Sequence, residues 1–129
     1  MKLKTIDRTQ ATRNSTFSGE VYIQNVVGPE ESQEIDIVAV YFSAGARTKP
    51  HTHAQDQVLY IREGHGIVAT ETEKRMVNAD DVILIPAGTW HWHGATLNSP
   101  MCHLSVMKRG TSDWEVDMKN WAVGYDEAG

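Results

Sequence analysis

The sequence predicts an all-β domain. Short segments rich in Val, Ile, Tyr and Phe recur along it, turn-forming residues separate them, and the spacing of the separators suits successive hairpins of a barrel or sandwich. Before Gly19 the chain is polar and lacks an apolar period, so residues 1–19 read as an N-terminal arm that is ordered by packing elsewhere and takes no part in catalysis. Strands are predicted at Val21–Val27, Ile35–Phe42, Val58–Ile61, Ile67–Thr70, Val82–Ile85, His91–Gly94 and His103–Met107. Between them Gly28-Pro29, Glu63-Gly64-His65-Gly66, Asn78-Ala79-Asp80-Asp81 and Asn98-Ser99-Pro100 tolerate or impose turn geometry. Residues 20–108 thus form the barrel, and residues 109–129 a C-terminal extension that packs on the barrel or on a partner. Within the extension Ser112 and Glu115 offer a helix capping box, whereas Trp114, Val116 and Met118 alternate as in a strand, and both conformations stay open.

A chain of 129 residues fits one domain at roughly 150 residues per domain. Its 12 basic and 17 acidic residues leave a formal net charge of −5 with no Lys/Arg cluster, which argues against a nucleic-acid partner. The hydrophobic share of 40% is enough for one core. The longest aliphatic run, Val82-Ile83-Leu84-Ile85, falls far short of the roughly 20 residues a membrane helix needs. The opening MKLKTIDRTQ has no apolar signal core, so a soluble, cytoplasmic protein without a membrane partner is expected. A single cysteine, Cys102, excludes an intramolecular disulfide and a four-thiolate zinc site.

All 6 histidines lie between His51 and His103. His51 and His53 are two residues apart, so on an extended chain both imidazoles project from one face, and Gln57 shares their parity. His91 and His93 repeat the spacing, and His103 lies on a later strand with Met101, Ser105 and Met107 at its parity. Three segments can thus aim imidazoles into one interior, for which a bound metal is the preferred explanation. Imidazole nitrogen with amide oxygen and no thiolate suits Mn, Fe, Ni, Co, Cu or Zn.

The run from Gly45 through His51-Thr52-His53 and Gln57 to Gly64 resembles the first cupin motif at every spacing, with Gln57 where that family has Glu. Asp80 through Ala95 resembles the second: Pro86-Ala87-Gly88 followed by His91 matches its core, while Asp80 replaces the leading Gly and Ala95 the closing Asn. The resemblance covers roughly residues 20–108 and implies a cupin double-stranded β-helix, or jelly-roll barrel. It also implies one divalent metal per subunit, held by His51, His53, Gln57 and His91. The stretches His91-Trp92-His93-Gly94-Ala95 and Met101-Cys102-His103-Leu104, together with Gln57, are similar to the bacterial manganese-dependent cupin hydroxynitrile lyases. That similarity puts manganese first among the metals and implies small cyanohydrin substrates, aromatic ones included. It also implies a homodimer or homotetramer.

Replacing Glu by Gln has a chemical consequence. Three imidazoles and a carboxamide leave the full double charge of the ion in a low-dielectric interior, which makes it a stronger Lewis acid and removes a carboxylate base. A non-ligating histidine would then move the proton, with His103 the first choice and His93 the second, or else an orienting donor. Val38, Val40, Leu59 and Met107 have barrel-facing parity and would form an apolar substrate wall or simply core, and Arg47 is a weak candidate for an anionic substrate group at the barrel mouth. His65 is expected in an exposed turn, and Cys102, adjacent to His103, should point away from the site. Trp114 and Trp121 are expected in core or subunit contacts rather than in the site. A cupin dioxygenase or isomerase using the same ligands, or a non-catalytic ligand-binding cupin, are the alternatives.

Overall fold

The computed structural model describes residues 1–123, so the end of the predicted extension, residues 124–129, lies outside the described residues. Ten strands carry the fold: β1 (Thr12–Arg13), β2 (Val21–Val27), β3 (Ile35–Phe42), β4 (Thr52–His53), β5 (Gln57–Thr70), β6 (Lys74–Asn78), β7 (Val82–Ile85), β8 (His91–Ala95), β9 (Met101–Lys108) and β10 (Ser112–Asp113). Single 3-10 turns at Arg8–Gln10 and Trp121–Val123 are the only helical elements among the described residues. None of the described helices is long and apolar enough to cross a membrane.

Every strand pairing is antiparallel, and β5 belongs to both layers. Its first half pairs with β9 on one side and β7 on the other, continuing through β3 and β2 to β1, whereas its second half pairs with β6 and β8. Bridges from β8 to His51 and Arg47 extend this second layer. The core fills the space between the layers with Val21, Val40, Phe42, Leu59, Ile61, Val68, Val77, Ile85 and Met101. The result is the all-β jelly-roll arrangement that the sequence predicts.

Part of the outer face of each layer is also covered, which explains why a run such as Ala39-Val40-Tyr41-Phe42 is apolar without alternation and buried throughout. Ile6 and Ala11 of the arm pack against Val26, Ala39, Tyr41 and Cys102 on one outer face. Val116 and Trp121 of the extension pack against Ile67, Ala69, Trp90 and Trp92 on the other.

The predicted turn at Glu63-Gly64-His65-Gly66 does not form, because β5 runs through it without interruption. Arg62 bulges where the register shifts between Ile61 and Glu63, and Gly64 adopts φ +78, a conformation that costs glycine little. A Cβ at Gly64 would also run into the Pro100 carbonyl. Glycine here bends a strand from one layer into the other instead of reversing the chain. His65 therefore lies on a strand rather than in a turn, although it is exposed as expected, with its Nδ1 2.6 Å from Asn78 Oδ1. Strand β6 carried no sequence signal: Lys74-Arg75-Met76-Val77-Asn78 buries only Val77, the composition of a charged edge strand. In the extension the capping box is not made, since Ser112 lies in β10 and Glu115 N donates to Asp113 Oδ1 in a short turn.

Candidate metal centre

The centre is built around one backbone pair. The amides of His51 and His91 each donate to the other's carbonyl at 3.0 and 3.1 Å. Residues opposed in this way project to the same face, and the two ring centroids lie 4.3 Å apart. One pleat repeat further along each segment, His53 and His93 point the same way: His53 lies 4.8 Å from His51, and His93 5.5 Å, centroid to centroid.

The facing layer supplies the rest. His103 stands between Val40 and Ile61, Ser105 between Val38 and Leu59, and Gln57 between Met107 and Ile85, all in register across the sheet. The Gln57 amide nitrogen donates to Ser105 Oγ at 2.8 Å, which leaves its carbonyl oxygen 3.2 Å from His91 Nε2. Five of the 6 histidines, all except His65, are thus buried in one volume.

Backbone and hydroxyl partners fix which nitrogen is presented. His51 Nδ1 bonds to the Lys49 carbonyl and His91 Nδ1 to the Thr89 carbonyl, both at 2.8 Å. A carbonyl only accepts, so each Nδ1 carries the proton and each Nε2 keeps a free lone pair. His53 Nδ1 lies 2.7 Å from Ser112 Oγ, and its Nε2 is buried with no hydrogen-bond partner among the described residues. Burial lowers all these pKa values and keeps the rings neutral: His51 to about 2, His91 and His103 to about 4, His53 below its ordinary value and His93 well below it.

His93 and His103 form a second unit, with His103 Nε2 3.0 Å from His93 Nδ1. One proton lies between these atoms. If it sits on His93, that ring's Nε2 carries a lone pair and His103 Nδ1 carries a hydrogen; if it sits on His103, the roles reverse. Neither outer nitrogen, His93 Nε2 or His103 Nδ1, has a hydrogen-bond partner among the described residues.

These orphaned nitrogens are the test of a metal. Buried polar atoms without partners cost free energy, and here they sit beside lone pairs turned to a common point, with one ring nitrogen each from His51, His91 and His93 within 4.8 Å of one another. Neutral nitrogen with amide oxygen suits a divalent transition ion. Three histidines of this chain could bind a metal. Of the residues proposed from the sequence, His51, His53, Gln57 and His91 are brought together, and His93 lies in the same volume.

Val38, Val40 and Leu59 line the inner core next to this group, while Met107 is half-buried opposite Gln57. Arg47 lies away from the expected barrel mouth: it is buried on the outer side of the second layer, its guanidinium 4.0 Å from the Trp121 ring centroid and 4.9 Å from that of Trp92. Cys102 points to the opposite face from His103, and burial raises its thiol to about 11.

Ser105, Ser112, Phe17 and Trp114 escaped the sequence reading. Trp114 stacks on His51 with centroids 3.9 Å apart, and Phe17 stacks on Phe42, whose ring lies 5.3 Å from His103. The parity of Ser105 with His103 was a usable signal. Nothing local in sequence marks the other three, because the two chain ends reach the site only through the fold.

A cupin domain model matches residues 38–107. The chain is 32% identical over 94 residues to the (R)-mandelonitrile lyase of Granulicella tundricola, covering 72% of each. It is 26% identical over 107 residues to an acireductone dioxygenase of Gluconacetobacter diazotrophicus, 74% of this chain and 59% of that one. Among solved structures, a cupin-like protein from Thermotoga maritima superposes with a TM-score of 0.81 at 24% identity, over 90% of this chain and 93% of that one. With inward histidines on a jelly-roll frame and a cupin model spanning more than half of its residues, the chain belongs to the cupin family, a family of metal-binding proteins with lyase and dioxygenase members.

Proposed function

We propose that the protein is a metal-dependent lyase that cleaves, or in reverse forms, small aromatic cyanohydrins. The observation that carries this reading is the buried His93–His103 pair, a ready proton store beside a set of neutral donors that contains Gln57 in place of a carboxylate. His51, His53, Gln57 and His91 would hold a divalent ion, manganese first, which when bound would supply Lewis acidity toward a substrate hydroxyl.

The remaining chemistry belongs to side chains. His103, neutral at working pH and with the shared proton on its Nε2, takes the hydroxyl proton at Nδ1, its one ring nitrogen without a partner among the described residues. As that proton leaves, the carbonyl forms, the bond to the nitrile carbon breaks and its electron pair departs with cyanide. Cyanide then recovers the proton from the same imidazole, so no oxidant or reductant is consumed. His93 supports His103 by passing or holding the proton between them. Val38, Val40, Leu59 and Met107 supply apolar surface for an aromatic ring and keep bulk water from the histidines. The 32% identity to a mandelonitrile lyase supports the substrate class.

The test is turnover of mandelonitrile to benzaldehyde by the chain loaded with Mn(II), abolished by chelation and restored by re-addition. Absence of turnover with each of Mn, Fe, Co, Ni, Cu and Zn would sink the lyase reading. The similarity to an acireductone dioxygenase favours a second reading, a ring- or chain-cleaving dioxygenase, which oxygen uptake by the iron-loaded chain would reveal.

A further inference from the structure

The short strand β10 lies outside the region that the cupin model matches, yet two of its neighbouring contacts fall on the histidines of the centre. It pairs with β4, setting Ser112 directly opposite His53, and the Ala54 amide donates to the Thr111 carbonyl at 2.9 Å to hold the register. Across this pair Ser112 Oγ lies 2.7 Å from His53 Nδ1. His51 and His91 take their Nδ1 partners from carbonyls two residues upstream, so they are oriented by the chain just before them. His53 alone among these three takes its Nδ1 partner from a segment distant in sequence.

One residue past β10, the Trp114 indole lies over His51 at 3.9 Å with 20° between the planes, and its ring is 5.9 Å from that of Phe17 in the arm. Trp114 is 42% exposed, so it covers His51 from the solvent side. A 3-residue segment therefore touches both histidines of the HxH pincer, one by a hydrogen bond and one by stacking.

We infer that the Ser112–Trp114 segment is a strap that completes the metal centre: Ser112 is a positioning residue that keeps His53 Nε2 turned inward, and Trp114 holds the plane of His51 and shields it from water. The inference rests on the proposal that His51 and His53 ligate a metal. Hydroxyl and indole act here through the imidazoles, and neither is itself a ligand. Partners of this kind typically contribute about tenfold to a hundredfold in metal affinity.

Cobalt(II) alone is the probe, added to the full metal-free chain. The wild type should bind one ion, with visible ligand-field bands and a fall in tryptophan emission. Ser112→Ala should release Co(II) to excess EDTA about tenfold faster or more, whereas Ser112→Thr, which keeps the hydroxyl, should release it at nearly the wild-type rate. Trp114→Phe should still bind Co(II) but lose most of the emission change, because the indole stacked on a ligand is the one quenched. Far-UV circular dichroism matching the wild type confirms that each variant is folded. A release rate for Ser112→Ala within twofold of wild type, or an undiminished emission change in Trp114→Phe, overturns the strap while leaving the metal centre standing. A wild-type chain that binds no Co(II) overturns both.

Discussion

His103 Nε2 lies 3.0 Å from His93 Nδ1, and each of these rings buries its other nitrogen without a partner among the described residues. Two neutral imidazoles sharing one proton can exchange which outer nitrogen donates and which accepts. This makes His103 the residue whose loss should separate binding from turnover. His103→Ala is expected to retain metal and to lose about a hundredfold or more in cyanohydrin cleavage. Steady-state kinetics beside elemental analysis decide the matter, and turnover at the wild-type level removes His103 from the mechanism.

Gln57→Glu tests the charge argument. A carboxylate in the place of the carboxamide cancels one unit of the ion's charge, so metal should be held at least as tightly while lyase activity drops by about tenfold, or about 1.4 kcal/mol of transition-state stabilisation. Ser105 can turn its hydroxyl to donate, so its 2.8 Å contact need not be lost. Higher lyase activity in this variant would contradict the proposal.

Acid should destabilise the metal-free chain. Burial holds His91 and His103 at about 4, whereas an unfolded histidine titrates at about 6.5. Between these values the unfolded chain binds more protons than the folded one, so stability rises with pH and is lost as pH falls from about 6.5 toward 4. The slope approaches about 1.4 kcal/mol per pH unit for each such group. Thermal melts at pH 7, 6 and 5 check this, and a midpoint that stays level or climbs on acidification contradicts the buried neutral state. Bound metal should raise stability while leaving the slope in place or steepening it, because the unfolded histidines still take up protons below about 6.5 and the liganded ones cannot.

Gly94→Ala should weaken the second layer. A Cβ there would meet the Arg47 Cα and Cβ and the Ala46 carbonyl, in a place where the Ala95 amide donates to Ala46 at 2.9 Å and Thr48 N to His93 O at 2.8 Å. Arg47 has little room to yield between Trp92 and Trp121. Overpacking of this kind costs about 1–3 kcal/mol, read from urea unfolding, and metal affinity should fall with it, since His91 and His93 share the strand. Wild-type stability would show that the segment moves aside freely.

Strand identity and inward parity were legible because they are local. Val21–Val27, Ile35–Phe42 and Val82–Ile85 are rich in the β-branched residues that strands favour, and the HxH spacing aims His51 and His53 together whatever the remainder of the chain does. Gly64 misled because glycine serves equally in a reversal and in a bulge, and only the partner strand β9 decides between them. Arg47 misled for a similar reason: its charge suggested a place at the barrel mouth, but its guanidinium lies over two indoles on the outer side, one of which arrives from residue 121. Ser112 and Trp114 were invisible because their roles depend on a contact between segments some sixty residues apart.

Strand β5 has a mechanical consequence. It carries Gln57 at one end and Thr70, the register partner of His91, at the other, so a single continuous backbone spans both walls of the cavity. Opening either wall pulls on the same rod, and the donor atoms should scatter in one event rather than peel away one at a time. Amide hydrogens of Leu59, Ile61, Val68 and Ala69 should therefore exchange at a common slow rate, and ion loss should follow that same rate when the chain is driven open by denaturant.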